Sequence, residues 1–550
     1  MACIETTGLS HRHCVDAEAS PAVKILKAVE SVWTKVASRR AFSCLLVVAM
    51  AMAGRLALLR VDPKPQPRVH DEFAYIFGAE TLAKGHLANP THALWRFFET
   101  YHINMQPTYV SKYPPAQSAF MALGIRLFGH PWYGVLLSVS LMCGCVCWML
   151  QGWVPPKYAL MGGILAFLQF GLAHYWIDSY WGGAVGAMGG ALVFGALPRL
   201  ARDGKASAAF AGAIGIAILA NSRPWEGLIL VALTSVALVW WTRNRFYVWL
   251  RPAVILPFAA VMLSTAGGMA YYNFKTTGSP ATFPYSVNQS RYAVSPVLWI
   301  MPLYEPKTRE YRDPSMREFW QSWDLKNYTR IRQNPLRELF HLYDAFHDFV
   351  GGGAGLMLVF LAACAVPLAR IPRLRIALGV LCVFVCAMTV DKYVFAHYLA
   401  PGLGAFFVAA MFGLRLLRCH RLGGQPTGLL LVSSIVALAG IVGVFDTART
   451  ILYPRPQSMD YPDVDFRHTV AARLESEPGP HLVLVRYAGD HVAHDEIIYN
   501  GPDIDSQKIV WAFDFGREAD RPLIDYYSNR KVWLVQPDGP SPAIELYSGN

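Results

Sequence analysis

The sequence predicts an all-α, polytopic membrane protein that ends in a small soluble α/β domain. Three observations carry that expectation. Of 550 residues, 54% are hydrophobic and only 16% are charged, whereas soluble domains carry roughly a quarter charged residues. The apolar residues fall in windows of roughly 16 to 22 separated by short polar segments, the length at which a helix spans a bilayer. Lysine and arginine gather in alternate connections between these windows, the bias that orients membrane helices.

Taken in order, the windows lie at about 43–60, 130–150, 156–174, 182–198, 206–221, 225–241, 250–272, 350–367, 376–390, 397–415 and 427–446, about eleven spans in all. The first is expected to be a retained helix. It lies too far from residue 1 for a signal peptide, and it runs into Arg60 and a proline-rich stretch without a small-residue cleavage pattern. Arg55, near its end, is expected to snorkel. Lys35, Arg39 and Arg40 precede this span, Lys157 opens the third, and Arg199, Arg202 and Lys205 follow the fourth. Arg243 and Arg245, then Arg370, Arg373 and Arg375, then Arg415, Arg418 and Arg421 continue the alternation. All fall on one side if the amino terminus is cytoplasmic. The net charge of +11 is thus assigned to topology, and no nucleic-acid partner is expected. Cys143, Cys145 and Cys147 share one apolar window and no CxxC pair occurs, so neither a disulfide framework nor a thiolate zinc site is expected.

The expected organisation is a cytoplasmic segment at 1–42, a membrane domain at 43–446 with outer loops at 61–128 and 273–350, and an extracytoplasmic soluble domain at 447–550. Within the last, HLVLVR from His481, IVWAF from Ile509 and KVWLV from Lys531 read as short strands, and Arg521–Ser528 reads as helix. This domain is expected to be structural or to position an acceptor. The DVD at Asp463–Asp465 and the DID at Asp503–Asp505 read as turns.

The chemistry gathers in the outer segments. Val69–Tyr75 reads VHDEFAY, just past the first span, and leads into a helical stretch from Phe73 to Ala83. A carboxylate at that helix start is held ionised by free N–H groups and the helix dipole. A fixed, charged Asp71, with Glu72 beside it, suits removal of a proton from a sugar hydroxyl attacking an anomeric carbon. The alternative is an N-cap without chemistry. The same loop continues through FETYH at Phe98–His102 to SKYPPAQ, where Lys112 and Tyr113 stand before a double proline. Lys112 either snorkels or meets the phosphate of a lipid-linked donor. YWIDSYWGG at Tyr175–Gly183 packs four aromatics, Asp178 and two glycines into one turn. Its Tyr180 and Trp181 serve either an interfacial belt or a sugar-binding face. NSRPWE places Arg223 near Glu226, and DKYVFAHYLAP brings Lys392 and His397 to the same rim. HExxH and HxxxH are absent. No cofactor is expected, and a divalent ion at Asp71 with Glu72, or at Asp178, has no support from spacing.

These residues resemble the polytopic glycosyltransferases of the GT-C fold, in the bacterial branch related to protein O-mannosyltransferases and to the aminoarabinose and lipopolysaccharide-core sugar transferases. The resemblance spans roughly residues 40 to 446 and rests on Asp71, Glu72 and Tyr75 after the first span, on Lys112 with Pro114 and Pro115, on Asp178 to Gly183, and on Arg223 with Pro224. It implies that Asp71 is the catalytic base or an acceptor-positioning carboxylate. It also implies an inverting transfer from a polyprenyl-phosphate sugar to an envelope glycan, lipid or protein, in a bacterial plasma membrane. A transporter or flippase of lipid-linked glycans is the alternative, and it should show inverted repeats and charges near the midplane. A scaffold of an envelope complex is the third reading.

Overall fold

The computed structural model describes residues 21–351, 353–422, 427–452, 462–538 and 542–547. Parts of the expected amino-terminal segment (1–20) and of the expected tail (453–461) lie outside the described residues, as does the side chain of Asp463.

A helix occupies each of the predicted windows, but their lengths differ. Among the described residues seven helices are long and apolar enough to cross a membrane: Arg40–Leu58, Trp132–Trp153, Gly183–Asp203, Pro224–Thr242, Pro252–Thr277, Ala400–Arg418 and Thr427–Arg449. An eighth arises if Pro335–Val350 and Gly355–Cys364, bent by 110° at their break, form one span. Pro156–Phe170, Ala206–Ala220 and Pro372–Met388 have 15, 15 and 17 residues, short of the roughly 20 that cross hydrocarbon untilted. The protein is thus an all-α, multi-pass membrane protein with a small α/β unit at its end, and helix length alone does not yield eleven spans.

The helices pack through small residues, as membrane helices do where backbones must approach closely. A β-carbon on Gly190 would lie 2.1 Å from the Pro401 carbonyl oxygen. At one end of the bundle Glu30 binds Lys157 at 2.8 Å and Arg418 at 2.7 Å. The connections at the other end form the site. Arg55 does not snorkel. It is fully buried and binds Asp178 at 2.8 Å and Asp62 at 3.0 Å, which ties the first span to the Tyr175–Trp181 turn.

The carboxyl-terminal unit is a four-stranded sheet in the order Ile509–Phe513, His481–Val485, Lys531–Gln536, Ala543–Leu546; the last strand is antiparallel and the others parallel. Helices Pro462–Ser476 and Arg517–Tyr526 complete it. His481–Val485 is buried along its whole length, as expected for the centre of a parallel sheet.

This unit shares one hydrophobic core with the first outer loop. Phe73, Phe77, Phe98, Ile103 and Tyr109 are buried with Val483, Val485, Ile498 and Trp511. Phe73 stacks on Tyr499 with ring centroids 4.0 Å apart, and the Tyr109 hydroxyl donates to the Asn500 carbonyl. Asp505 of the DID turn accepts from Tyr527 at 2.5 Å and meets His92 of the loop at 3.2 Å. A third segment is clamped in by Arg312, fully buried. Its guanidinium binds Asp313 and Glu496 at 2.6 Å each and donates to the Glu99 carbonyl.

Candidate active site

The site begins at the helix His70–Ala83. Its carboxylates diverge because adjacent helical residues point about 100° apart. Glu72 turns back on the backbone and accepts from the N–H groups of Arg68 (2.8 Å), Val69 (3.3 Å) and Tyr180 (2.9 Å). It therefore caps the helix and ties it to the Tyr175–Trp181 turn, and it does not line the cavity. Burial raises its carboxyl to about 7 against those hydrogen bonds. Asp71 faces the other way. One oxygen accepts from the Tyr113 hydroxyl; the other lies 2.9 Å from His70 Nδ1 and 3.7 Å from His102 Nε2. Burial alone would raise the Asp71 carboxyl, but His102, His70 and Lys112 overcome it and hold it well below the usual carboxylate range.

His102 reaches this position through a strained backbone. Its φ of 62° is the one positive value at a non-glycine among the described residues, and such strain persists only where surroundings impose it. Behind it, Ile103–Asn104 pairs with Val110–Ser111, and the Lys112 N–H donates to the His102 carbonyl at 3.0 Å. The turn thus presents His102 and Lys112 side by side. Burial, with the nearby Lys112, holds His102 well below its ordinary pKa, against the pull of Asp71. His70, Asp71 and His102 can each offer one ligand atom, all within 4.8 Å of one another. If a cation binds here, these residues hold it, rather than the Asp71–Glu72 pair or Asp178.

These groups open into a cavity of about 470 Å³, within the range of small-ligand pockets. Asp71, Tyr75, Lys112, Tyr113, Trp181, Arg223, Lys392 and His397 all line it; Glu72, Asp178 and Tyr180 do not. Asp178 is taken up by Arg55, and burial pushes its carboxyl to about 7 despite that partner. The Tyr180 hydroxyl donates to the Pro65 carbonyl. Gly182 follows Trp181 with φ 86°, a turn that any residue with a β-carbon adopts at a cost.

The cations are not equivalent. Lys392 is committed, with Asp324 at 2.7 Å and the Ser295 hydroxyl at 2.8 Å. Arg223 lies over the Tyr398 ring at 4.7 Å and meets Glu226 only at 3.7 Å. Lys112 is buried and has no carboxylate within ion-pair distance among the described residues; its ammonium sits among Tyr113, Tyr285 and Trp320, 5.0 to 5.9 Å from the ring centres. Burial lowers it to about 8 against the pull of Asp71 and Asp324. His397 contacts the Tyr175 hydroxyl at 3.3 Å and is held well below its ordinary pKa by burial and Arg223.

Sequence reasoning missed His70, His102, His494, Tyr285, Trp320 and Asp324, all of which line the cavity. His70 and His102 stood inside the quoted motifs, His70 next to Asp71 and His102 three residues after Glu99. The other four had no local signal. Phe319, Trp320 and Trp323 come from one helical turn of the long outer loop and roof the cavity, with Phe319 5.7 Å from His70.

The cavity also meets the bilayer-facing helices. Ala220 and Met269 line it. Further along the same two helices, Ala217 and Thr265 line an apolar groove of about 410 Å³ between Ala206–Ala220 and Pro252–Thr277.

No family model matches the sequence, and no curated protein matches it. Among solved structures, the chain is similar to ArnT from Cupriavidus metallidurans bound to undecaprenyl phosphate, with 11% identity over 90% of this chain and 92% of that one and a TM-score of 0.49. The same protein in its apo state gives 14% identity, the same coverage and a TM-score of 0.48. The oligosaccharyltransferase of Archaeoglobus fulgidus, tethered to an acceptor peptide, gives 12% identity over 90% of this chain and 68% of that one, with a TM-score of 0.45.

Proposed function

We propose that the protein is a membrane glycosyltransferase that moves a sugar from a polyprenyl-phosphate donor to a hydroxyl of a cell-envelope acceptor, with inversion. One observation carries this reading: a single cavity holds the Asp71 carboxylate together with the buried Lys112, which has no carboxylate within ion-pair distance among the described residues, and it borders an apolar groove on the bilayer face. In this reading the donor's phosphate sits at Lys112 and Arg223, and its chain lies in the groove beside Ala217 and Thr265. The acceptor hydroxyl approaches the anomeric carbon from the side opposite the phosphate.

The new bond forms between the acceptor oxygen and that carbon as the bond to the phosphate oxygen breaks. The attacking hydroxyl becomes strongly acidic as it bonds, so even a carboxylate of low pKa takes its proton; Asp71 receives it and returns it to solvent. The leaving phosphate needs no proton, and the two cations offset its growing charge in a site shielded from water. Aromatic walls from Trp181, Tyr285 and Trp320 suit the apolar faces of a sugar ring. The basic residues at the opposite end of the bundle favour an orientation with that end in the cytoplasm, and hence a site on the outer face.

The test is transfer from a panel of radiolabelled polyprenyl-phosphate sugars into an envelope extract. Purified wild type should transfer at least one sugar. Asp71→Asn should lose about 10²- to 10⁴-fold in turnover while eluting and resisting protease as wild type does. An Asp71→Asn variant with normal turnover refutes the role of the base. No transfer from any donor that the wild type demonstrably binds favours translocation of the lipid over chemistry on it.

A further inference from the structure

His494 belongs to the short Ala493–Asp495 turn of the carboxyl-terminal unit, yet it stands in the cavity wall. Its Nδ1 lies 3.1 Å from Nε2 of His70, and the rings stack with centroids 5.3 Å apart. The other nitrogen of His70 is the one that meets Asp71 at 2.9 Å. The carboxylate thus meets one ring nitrogen of His70 by proximity alone, without hydrogen-bond alignment, and the ring's hydrogen bond is the one to a residue 424 positions away. The His494 ring is in turn wedged between Phe319 (5.5 Å) and Trp323 (4.8 Å) of the cavity roof. Two residues on, Glu496 is clamped by Arg312.

A histidine ring that only abuts a carboxylate can turn over about its Cβ–Cγ bond and present carbon in place of nitrogen; a hydrogen bond at the other nitrogen removes that freedom, as it does for metal-bound histidines. The geometry points to His494 as a positioning residue, which fixes the His70 ring and through it the Asp71 carboxylate, so that the carboxyl-terminal unit is a working part of the active site. This rests on the assignment of Asp71 as the base. It predicts an effect on the chemical step and little effect on donor binding, because His70 and His494 stand on the carboxylate side of the cavity while Lys112 and Arg223 hold the phosphate.

The experiment uses the full chain in detergent, with the donor that the wild type turns over, and compares His494→Ala, His494→Asn and His494→Gln. Asparagine places its amide where Nδ1 lay; glutamine places it where Nε2 lay. We expect His494→Ala to lose about 10- to 100-fold in kcat with KM for the donor within about twofold. His494→Asn should recover to within about threefold of wild type, and His494→Gln should not. Independently of turnover, modification of His70 by diethylpyrocarbonate, located by mass spectrometry, should accelerate in the alanine variant and stay slow in the asparagine variant. If His494→Ala fails to fold, the asparagine–glutamine comparison decides. Equal activity in those two variants, or an alanine variant with wild-type kcat and folded behaviour, overturns the inference. Asp71→Asn run in parallel separates the outcomes: if that variant is active, the assignment of the base falls; if it is dead while His494→Ala is active, only the positioning role falls.

Discussion

Replacing Arg312 by methionine should loosen the carboxyl-terminal unit from the site without touching any residue that meets substrate. Arg312 is fully buried between Asp313 and Glu496 and also donates to the Glu99 carbonyl. Removing one partner of a buried ion pair costs about 3–5 kcal/mol, because a charge is left behind in a dry place. Here the orphans keep some support. Glu496 still accepts from the Tyr487 hydroxyl and the Ile498 N–H, and Asp313 from the Ser315 hydroxyl and the Met316 N–H. The lower end, about 3 kcal/mol, is therefore expected, a rise of about 150-fold in the open population. Amide hydrogen exchange reads it directly, since the N–H groups of Asp495, Ile497, Ile498 and Tyr499 are all bonded within this junction. Their protection should fall by roughly two orders of magnitude, and adding Glu496→Gln in the same chain should restore part of it by removing the orphan charge. Protection unchanged within about threefold, or no recovery on adding Glu496→Gln, would refute the ion-pair account.

Three further outcomes follow from the site. Lys112, lowered by burial to about 8, loses its charge as pH rises through that value, so kcat/KM for the donor should fall on the alkaline side from about 8. In Lys112→Arg the guanidinium stays charged and the limb should move up; identical limbs in both proteins exclude Lys112 as its origin. Glu72→Gln should keep at least about a tenth of wild-type turnover, since Glu72 holds backbone N–H groups and stands outside the cavity, whereas a collapse matching that of Asp71→Asn would mean that the two carboxylates act as a pair. Asp178→Asn should retain turnover within about threefold while lowering stability by roughly 1–3 kcal/mol, because Arg55 keeps Asp62 at 3.0 Å; thermal unfolding and transfer assays together check it.

Most of the residues that sequence reasoning delivered to the cavity stand near a helix end, Tyr75 inside its helix being the exception. Asp71, Lys112, Trp181, Arg223, Lys392 and His397 each sit within a few positions of a helix junction, and helices of one bundle bring their same-side junctions to one rim. Two kinds of information were missing. Rotation about a helix was one: Asp71 and Glu72 are adjacent and both acidic, but only the wound chain shows that one faces the cavity and the other its own backbone. Distant pairing was the other. Arg55 near an apolar helix end reads as a snorkelling side chain until Asp178, 123 positions away, is placed against it. His494 sits in a tail whose strands were legible from their apolar runs, but no local pattern marks it as a cavity residue. The span count was blurred for a related reason: helices of 15 residues buried among others satisfy the same apolar window as a true crossing.

The shared core of the first outer loop and the carboxyl-terminal unit bears on how the protein is made. Phe73, Phe77 and Tyr109 emerge from the ribosome some hundreds of residues before Val483, Ile498 and Trp511, the partners that bury them. Until the sheet has been made, the loop carrying Asp71 is inserted but lacks part of its core. A chain cut short before the sheet would reach the membrane with its spanning helices and without His494 in the cavity wall. Under the proposed function, a nascent polypeptide gains activity only once the carboxyl-terminal sheet has docked.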